Sequence, residues 1–284
     1  MSDKMFSSPV FTLQAQQTIK DALVMMQTNF IKRIIIVNEK KPIGVVTERD
    51  INKFLENDKT RRALNEIPLR EIMKRNLITI TKGQTDHLEQ CATRMITFKI
   101  GSIVVVDDDG NLAGITTQTD ITRAFYDQYP GKYKVRDYMT VKAITCRDSD
   151  SLYFALELIN KNEVSRLIVT DNMGRIKGVV TTNTFLTHSD YFKKSGKTRS
   201  YLLAEQQNNH VVSDLIGKEI LTVEPDDDLA TAARIMIENK ISGIPVTNVQ
   251  DVKIMGVVSK FDVVRAYSNV VPHAKLLEKY KTFR

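Results

Sequence analysis

The chain has 284 residues, 42% hydrophobic and 26% charged, with a formal net charge of +7, which points to a soluble globular protein able to bury one or two cores. Cys91 and Cys146 are the only cysteines, so a disulfide framework is excluded and a reducing compartment is expected for two ordinary thiols. His87, His188, His210 and His273 are scattered without ligand spacing, so neither a metal site nor a catalytic cofactor is expected.

The N-terminus, MSDKMFSSP, carries no basic region followed by an apolar core, and it continues into Pro9–Leu13, a short strand candidate. Ile19, Ala22, Leu23 and Met26 then fall at helical spacing, a stripe that must cover a sheet. A strand over Ile31–Val37, a turn at Asn38–Lys41, a strand over Ile43–Thr47 and a helix from Asp50 complete a β-α-β-β-α unit. Runs such as Ile34–Val37 are far shorter than the roughly 18 residues of a membrane span, so we expect a cytoplasmic protein that does not enter membranes.

The same order returns three times. Leu77–Ile80 is followed by a face of Leu88, Cys91, Ala92 and Met95, then Ser102–Val106, a turn at Asp107–Gly110, Leu112–Thr116 and a helix near Asp120. Ala143–Cys146 precedes a face of Leu152, Ala155, Leu156 and Ile159, then Arg166–Thr170 and, past Asp171–Gly174, Ile176–Thr181. The polar stretch Ser189–His210 reads as a linker. Beyond it come Ile220–Val223, the face of Leu229, Ala232, Ala233 and Met236, and the run Ile241–Asp262. The tail Pro272–Arg284 carries Leu276, Leu277 and Tyr280 at helical spacing, suited to docking on a neighbour.

A motif marks each unit where the last strand meets its helix. It is glycine, two residues, a hydroxyl, two residues and an acid: Gly44 to Thr47 and Asp50, Gly114 to Thr117 and Asp120, Gly256 to Ser259 and Asp262. The third copy, Gly178 to Thr181, ends on Thr184 instead. A unit of about 60 residues with one open sheet face buries too little alone, which argues for pairing one with two and three with four. An odd/even alternation supports this: Gly101-Ser102 and Ser242-Gly243 precede the middle strand in even copies, Lys32-Arg33 and Ser165-Arg166 in odd ones.

These four repeats resemble cystathionine-β-synthase (CBS) domains, and their pairs resemble Bateman modules, over nearly the whole chain apart from the linker and tail. The resemblance implies an α/β fold and regulatory, non-catalytic binding of adenosine-containing ligands in clefts between paired repeats. Expected boundaries are 1–62, 63–131, 132–188 and 211–271 for the repeats, 189–210 for the linker and 272–284 for the tail.

An aspartate at a helix start accepts hydrogen bonds from two adjacent hydroxyls, which suits a ribose 2′,3′-diol, and a hydroxyl one turn earlier adds a contact. Ribose binding is therefore expected at Thr47 and Asp50, Thr117 and Asp120, and Ser259 and Asp262, alongside a helix-capping role. Thr184 offers one neutral hydroxyl in place of two charged oxygens, so the third copy should lack a ribose site of this kind. The family places basic residues before the middle strand, where this chain has Lys32, Arg33 and Arg166. With Arg49, beside Asp50, these are the expected phosphate ligands. Ile31, Ile34, Ile241, Ile244 and Pro245 are the candidate adenine slot, or simply sheet core.

No nucleophile–base pair and no Gly-rich phosphate loop appears, so an enzyme is not expected. The basic residues are dispersed and carry no nucleic-acid-binding signature, so DNA or RNA is not the expected partner. The reading is a sensor of AMP, ADP or ATP that signals in trans to a partner protein. The alternative is a scaffold binding another adenosyl ligand such as S-adenosylmethionine or NAD, or nucleic acid. The modules either close as a monomer, which we take as the expectation, or form a homodimer.

Overall fold

The computed structural model describes residues 5–57, 62–84, 86–187, 210–217, 220–248 and 253–269. The tail and all of the expected linker except His210 lie outside them. The α/β fold and the four-fold β-α-β-β-α order are as the sequence predicts. The first repeat is β1 (Thr12–Gln14), α1 (Ile19–Asn29), β2 (Arg33–Asn38), β3 (Lys41–Thr47) and α2 (Glu48–Asn57). The second is β4 (Thr79–Thr81), α3 (His87–Phe98), β5 (Ser102–Val106), β6 (Leu112–Thr117) and α4 (Gln118–Gln128). The third is β7 (Thr145–Arg147), α5 (Leu152–Lys161), β8 (Arg166–Thr170), β9 (Ile176–Thr181) and α6 (Thr182–Thr187). In the fourth, α7 (Leu229–Glu238), β10 (Gly243–Thr247), β11 (Ile254–Ser259) and α8 (260–269) follow a single parallel bridge from Val223 to Val246.

The first strands start two or three residues later than the apolar clusters suggest and end one residue later. Their limits are set by the parallel ladder, as in Thr12 opposite Ile35 and Thr79 opposite Val104. In the fourth repeat the expected strand Ile220–Val223 contracts to the bridge at Val223.

Thr18 caps α1 through a reciprocal box with Asp21, and Ile19, Ala22 and Met26 bury its apolar face against Ile34 and Ile36. Ile35 points to the opposite face of that sheet and is also 0% exposed, so β2 is buried on both sides.

The motif glycine has a packing cause. A Cβ on Gly44 would strike Met73, on Gly114 Phe6, on Gly178 Ile216 and on Gly256 the carbonyl of Thr140. Each last strand is thus crossed at its glycine by a segment entering from elsewhere in the chain. Ser7 bridges Ile115, Lys74 bridges Val45 and Thr140 bridges Val257. The segment before the first repeat therefore pairs with the second, and the segment before the second pairs with the first. The third and fourth repeats exchange segments in the same way. Each repeat thus carries, across its last strand, a segment from the stretch that precedes its neighbour in the chain.

Contact density nevertheless gathers alternate repeats. One compact unit, among the described residues, comprises 5–10, 78–142 and 221–269 and holds the second and fourth repeats. The other comprises Phe11–Leu77 and Ala143–Ile220, which holds the first and third. In the 2/4 unit α4 packs on α7, and one continuous core runs through both repeats, from Ile103, Ile121 and Phe125 to Met236, Val258 and Tyr267. In the 1/3 unit each repeat keeps its own core, one around Ile19, Ile34 and Ile51, the other around Leu156, Leu167 and Phe185. Among the described residues, no helix is long and apolar enough to cross a membrane, and no group of three His, Cys, Asp or Glu could hold a metal ion.

Candidate ligand-binding site

The hydroxyl–acid motif forms the same local structure each time. Asp50 Oδ2 accepts from the Thr47 N–H at 2.9 Å and from Thr47 Oγ1 at 2.6 Å. Asp120 does so from Thr117 at 2.7 Å for both bonds, and Asp262 from Ser259 at 2.9 and 2.6 Å. One carboxylate oxygen is therefore committed to starting the helix, because the first-turn N–H groups have no partner inside it. The other oxygen faces a cation. Oδ1 of Asp50 meets Lys74 Nζ at 2.7 Å, that of Asp120 meets Arg123 at 3.9 Å, and that of Asp262 meets Arg265 at 3.0 Å. In the third repeat Thr184 Oγ1 takes over the cap, accepting from the Thr181 N–H at 3.1 Å, with 3.0 Å between the two hydroxyl oxygens. The capping role expected of Asp50, Asp120 and Asp262 is present, and Thr184 caps the third copy as well. The Oδ1 face that would meet a ribose exists in three.

The expected phosphate ligands come together in the 1/3 unit. Arg49 Nη2 donates to Ser165 Oγ at 3.0 Å, next to Arg166, so residues of the first and third repeats meet there. Lys32 feels the charges of both Arg33 and Arg166. At the same place lies an acid, Glu48, 8% exposed, whose N–H donates to the Lys32 carbonyl at 3.1 Å. Burial pushes the Glu48 carboxyl up and the Lys32 ammonium down from their ordinary values, and the attraction between them only partly offsets this.

The adenine candidates separate by depth. Ile34 and Ile244 are 0% exposed within sheet cores, so their side chains are core residues with no face left for a ligand. Pro245 is also buried, and its carbonyl accepts from Val223. Ile31 and Ile241, just before the middle strands, are half-buried at the core edges and retain a surface.

A CBS domain model matches residues 3–57, 69–127, 135–190 and 212–269, one match per repeat and most of the chain. The chain belongs to the CBS domain family. It is 27% identical over 275 residues to protein MJ1225 of Methanocaldococcus jannaschii, covering 91% of this chain and 95% of that one. The crystal structure of MJ1225, proposed there as an archaeal homologue of g-AMPK, superposes with a TM-score of 0.79 at 24% identity, over 94% of this chain and 99% of that one. A conserved protein from Pyrococcus horikoshii has the same fold with a TM-score of 0.64 at 18% identity, over 94% of this chain and 99% of that one.

Four polar residues of these CBS repeats escaped the sequence reading. Lys74 lies in the connection between the first two repeats, and only folding brings it to Asp50. Glu48 directly follows the motif hydroxyl, a place filled by Gln118, Thr182 and Lys260 in the other repeats, and its variation was the available signal. Lys260 is 7% exposed, with Nζ donating to Thr119 Oγ1 at 3.1 Å, which makes it a buried cation of the 2/4 unit. Asn52 is 8% exposed, one helical turn beyond Glu48. The cysteines stay inert: burial pushes Cys91 up to about 11 and Cys146 up to about 12, so neither is a thiolate at neutral pH.

Proposed function

We propose that this CBS protein is a non-catalytic regulator that binds an adenine nucleotide, AMP, ADP or ATP, and passes its occupancy to a partner protein in trans. The observation that carries this reading is the meeting of Lys32, Arg33, Arg49 and Arg166, from two repeats, at one place in the 1/3 unit. A cluster of guanidinium and ammonium groups favours a phosphoryl group, because arginine offers paired donors to its oxygens. Asp50, Asp120 and Asp262 supply the ribose contacts through Oδ1, where the ligand's hydroxyls share or replace Lys74, Arg123 and Arg265. Ile31 and Ile241 remain as apolar surfaces for adenine. Signalling requires that the ligand favour one arrangement of the protein over another, since equal affinity shifts nothing.

A thermal-shift panel of AMP, ADP, ATP, NAD and S-adenosylmethionine tests the reading, since a ligand of the folded state raises apparent stability by mass action. The phosphorylated ligands should raise Tm, and Arg49→Ala and Arg166→Ala should reduce that rise. A larger shift with S-adenosylmethionine, untouched by these substitutions, would transfer the protein to the alternative adenosyl reading.

A further inference from the structure

The phosphate cluster contains its own anion. We propose that Glu48 is a built-in counter-ion of this cluster, and that a phosphoryl group binds there together with uptake of a proton by the Glu48 carboxylate. This rests on the phosphate reading of Lys32, Arg33, Arg49 and Arg166.

The placement of Glu48 is fixed by the backbone but its charge is not required by it. The N–H of residue 48 bonds to the Lys32 carbonyl, and the same bond joins Gln118 to Gly101, Thr182 to Ser165 and Lys260 to Ser242. Only the first repeat fills that position with an acid, and only there do two basic residues, Lys32 and Arg33, lead into the middle strand.

The groups facing Glu48 are Lys32 and Arg33 at the entry to β2. Arg166 at the start of β8 acts on Lys32, and Arg49 is the next residue of α2. Desolvation outweighs these cations, so the ionised carboxylate is already disfavoured before a ligand arrives. A phosphate dianion drawn to the same cations adds a second negative charge beside a carboxylate that is itself only 8% exposed, so the two repel. A proton from solvent on Glu48 removes that repulsion and turns an acceptor into a donor for a phosphate oxygen.

Asn52 supplies an independent sign. It stands one turn further on the same helix face, 8% exposed, and its buried Nδ2 has no hydrogen-bond partner among the described residues. A buried amide nitrogen left without an acceptor suits an incoming oxygen.

The test is calorimetric titration of the full chain and of Glu48→Gln with AMP, and with adenosine as a phosphate-free probe, at about pH 5.5 and about pH 8.5. Glu48→Thr, the residue type at the equivalent Thr182, is a second variant should the amide disturb folding. AMP's own titration is common to all proteins and cancels in the ratio of affinities. That ratio, variant over parent, should be about one at the lower pH and about ten or more at the higher, a tenfold change for each unit of linked titration. The parent should take up a proton on binding AMP, read from two buffers of different ionisation heat, and the variants should not. Adenosine should show neither effect. AMP binding with the same ratio at both pH values, or an equal effect on adenosine, removes the role of Glu48 and leaves the nucleotide reading standing. Failure of the parent to bind AMP, ADP and ATP alike overturns both.

Discussion

The 2/4 and 1/3 units build different interiors from one repeat plan. Where the second and fourth repeats meet, the small residues Gly101, Ser102, Ser242 and Gly243 precede the middle strands, and the two cores merge. Phe125, Tyr129, Tyr133, Tyr138 and Tyr267 stack through them, with ring centroids 5.3 Å apart for Phe125 and Tyr129 and 6.2 Å for Tyr129 and Tyr267. Where the first and third meet, the corresponding positions are Lys32, Arg33, Ser165 and Arg166, and the cores stay separate. Apolar contact stabilises, while the buried acid among the cations, Glu48, costs desolvation that its pairs only partly return. The 2/4 unit thus rests on a shared apolar core, whereas the 1/3 unit gathers cations between two separate cores.

The largest effect should come from breaking the merged core. Phe125 is 0% exposed and touches Tyr129 and Tyr133, so Phe125→Ala should cost about 3–5 kcal/mol in urea unfolding. A loss under about 1 kcal/mol, the range of an ordinary surface change, would mean the aromatic stack is not what holds that unit.

Substitutions in the charged cluster should reverse the pattern. Arg49→Ala removes an exposed side chain whose bond to Ser165 contributes little to stability, yet it should weaken AMP binding roughly ten- to a hundredfold. Calorimetry giving parental affinity with a large loss of stability would make Arg49 a structural link between repeats.

The two units should also answer pH with opposite slopes. His87 of the 2/4 unit is 2% exposed, shares a 2.8 Å bond with Thr116, and burial pulls it below its ordinary value. Its folded form stays neutral, so stability is present above the unfolded value near 6.5 and is lost as pH falls through the lowered folded value. Glu48 is raised, so its contribution is full below the ordinary glutamate value near 4.5 and is lost as pH rises through the folded value. Thermal melts against pH should therefore lose acid sensitivity in His87→Gln, while Glu48→Gln should raise Tm at neutral pH. Parallel profiles for parent and both variants would remove the contrast.

Much of this was legible in the sequence because it is local. The four helix faces, the turns and the hydroxyl–acid caps each lie within about a dozen residues, where spacing alone sets which side chains share a face. The seams were not legible. Nothing near Gly44 announces that Met73 will cross it, and the grouping of alternate repeats depends on which helix faces merge. Ile34 and Ile244 were ambiguous for a different reason: an apolar residue beside a site and one inside a sheet look alike until depth is known.

The smallest effect sharpens the comparison inside the 1/3 unit itself. At Thr184 the cap is made by a neutral hydroxyl, with bonds of 3.0 and 3.1 Å, whereas the carboxylates of the other repeats accept their two bonds at 2.6 to 2.9 Å. A charged acceptor at a helix start shortens those bonds and favours the positive end of the helix. Thr184→Asp should therefore raise stability by about 0.5–1 kcal/mol, seen as a small increase in Tm. The new Oδ1 also completes the hydroxyl–acid pair in the one repeat without it, so calorimetry with AMP should gain a site relative to the parent. A higher Tm with unchanged stoichiometry would show that the carboxylate serves only the helix. A lower Tm would mean that the third repeat keeps threonine because its surroundings do not tolerate the charge.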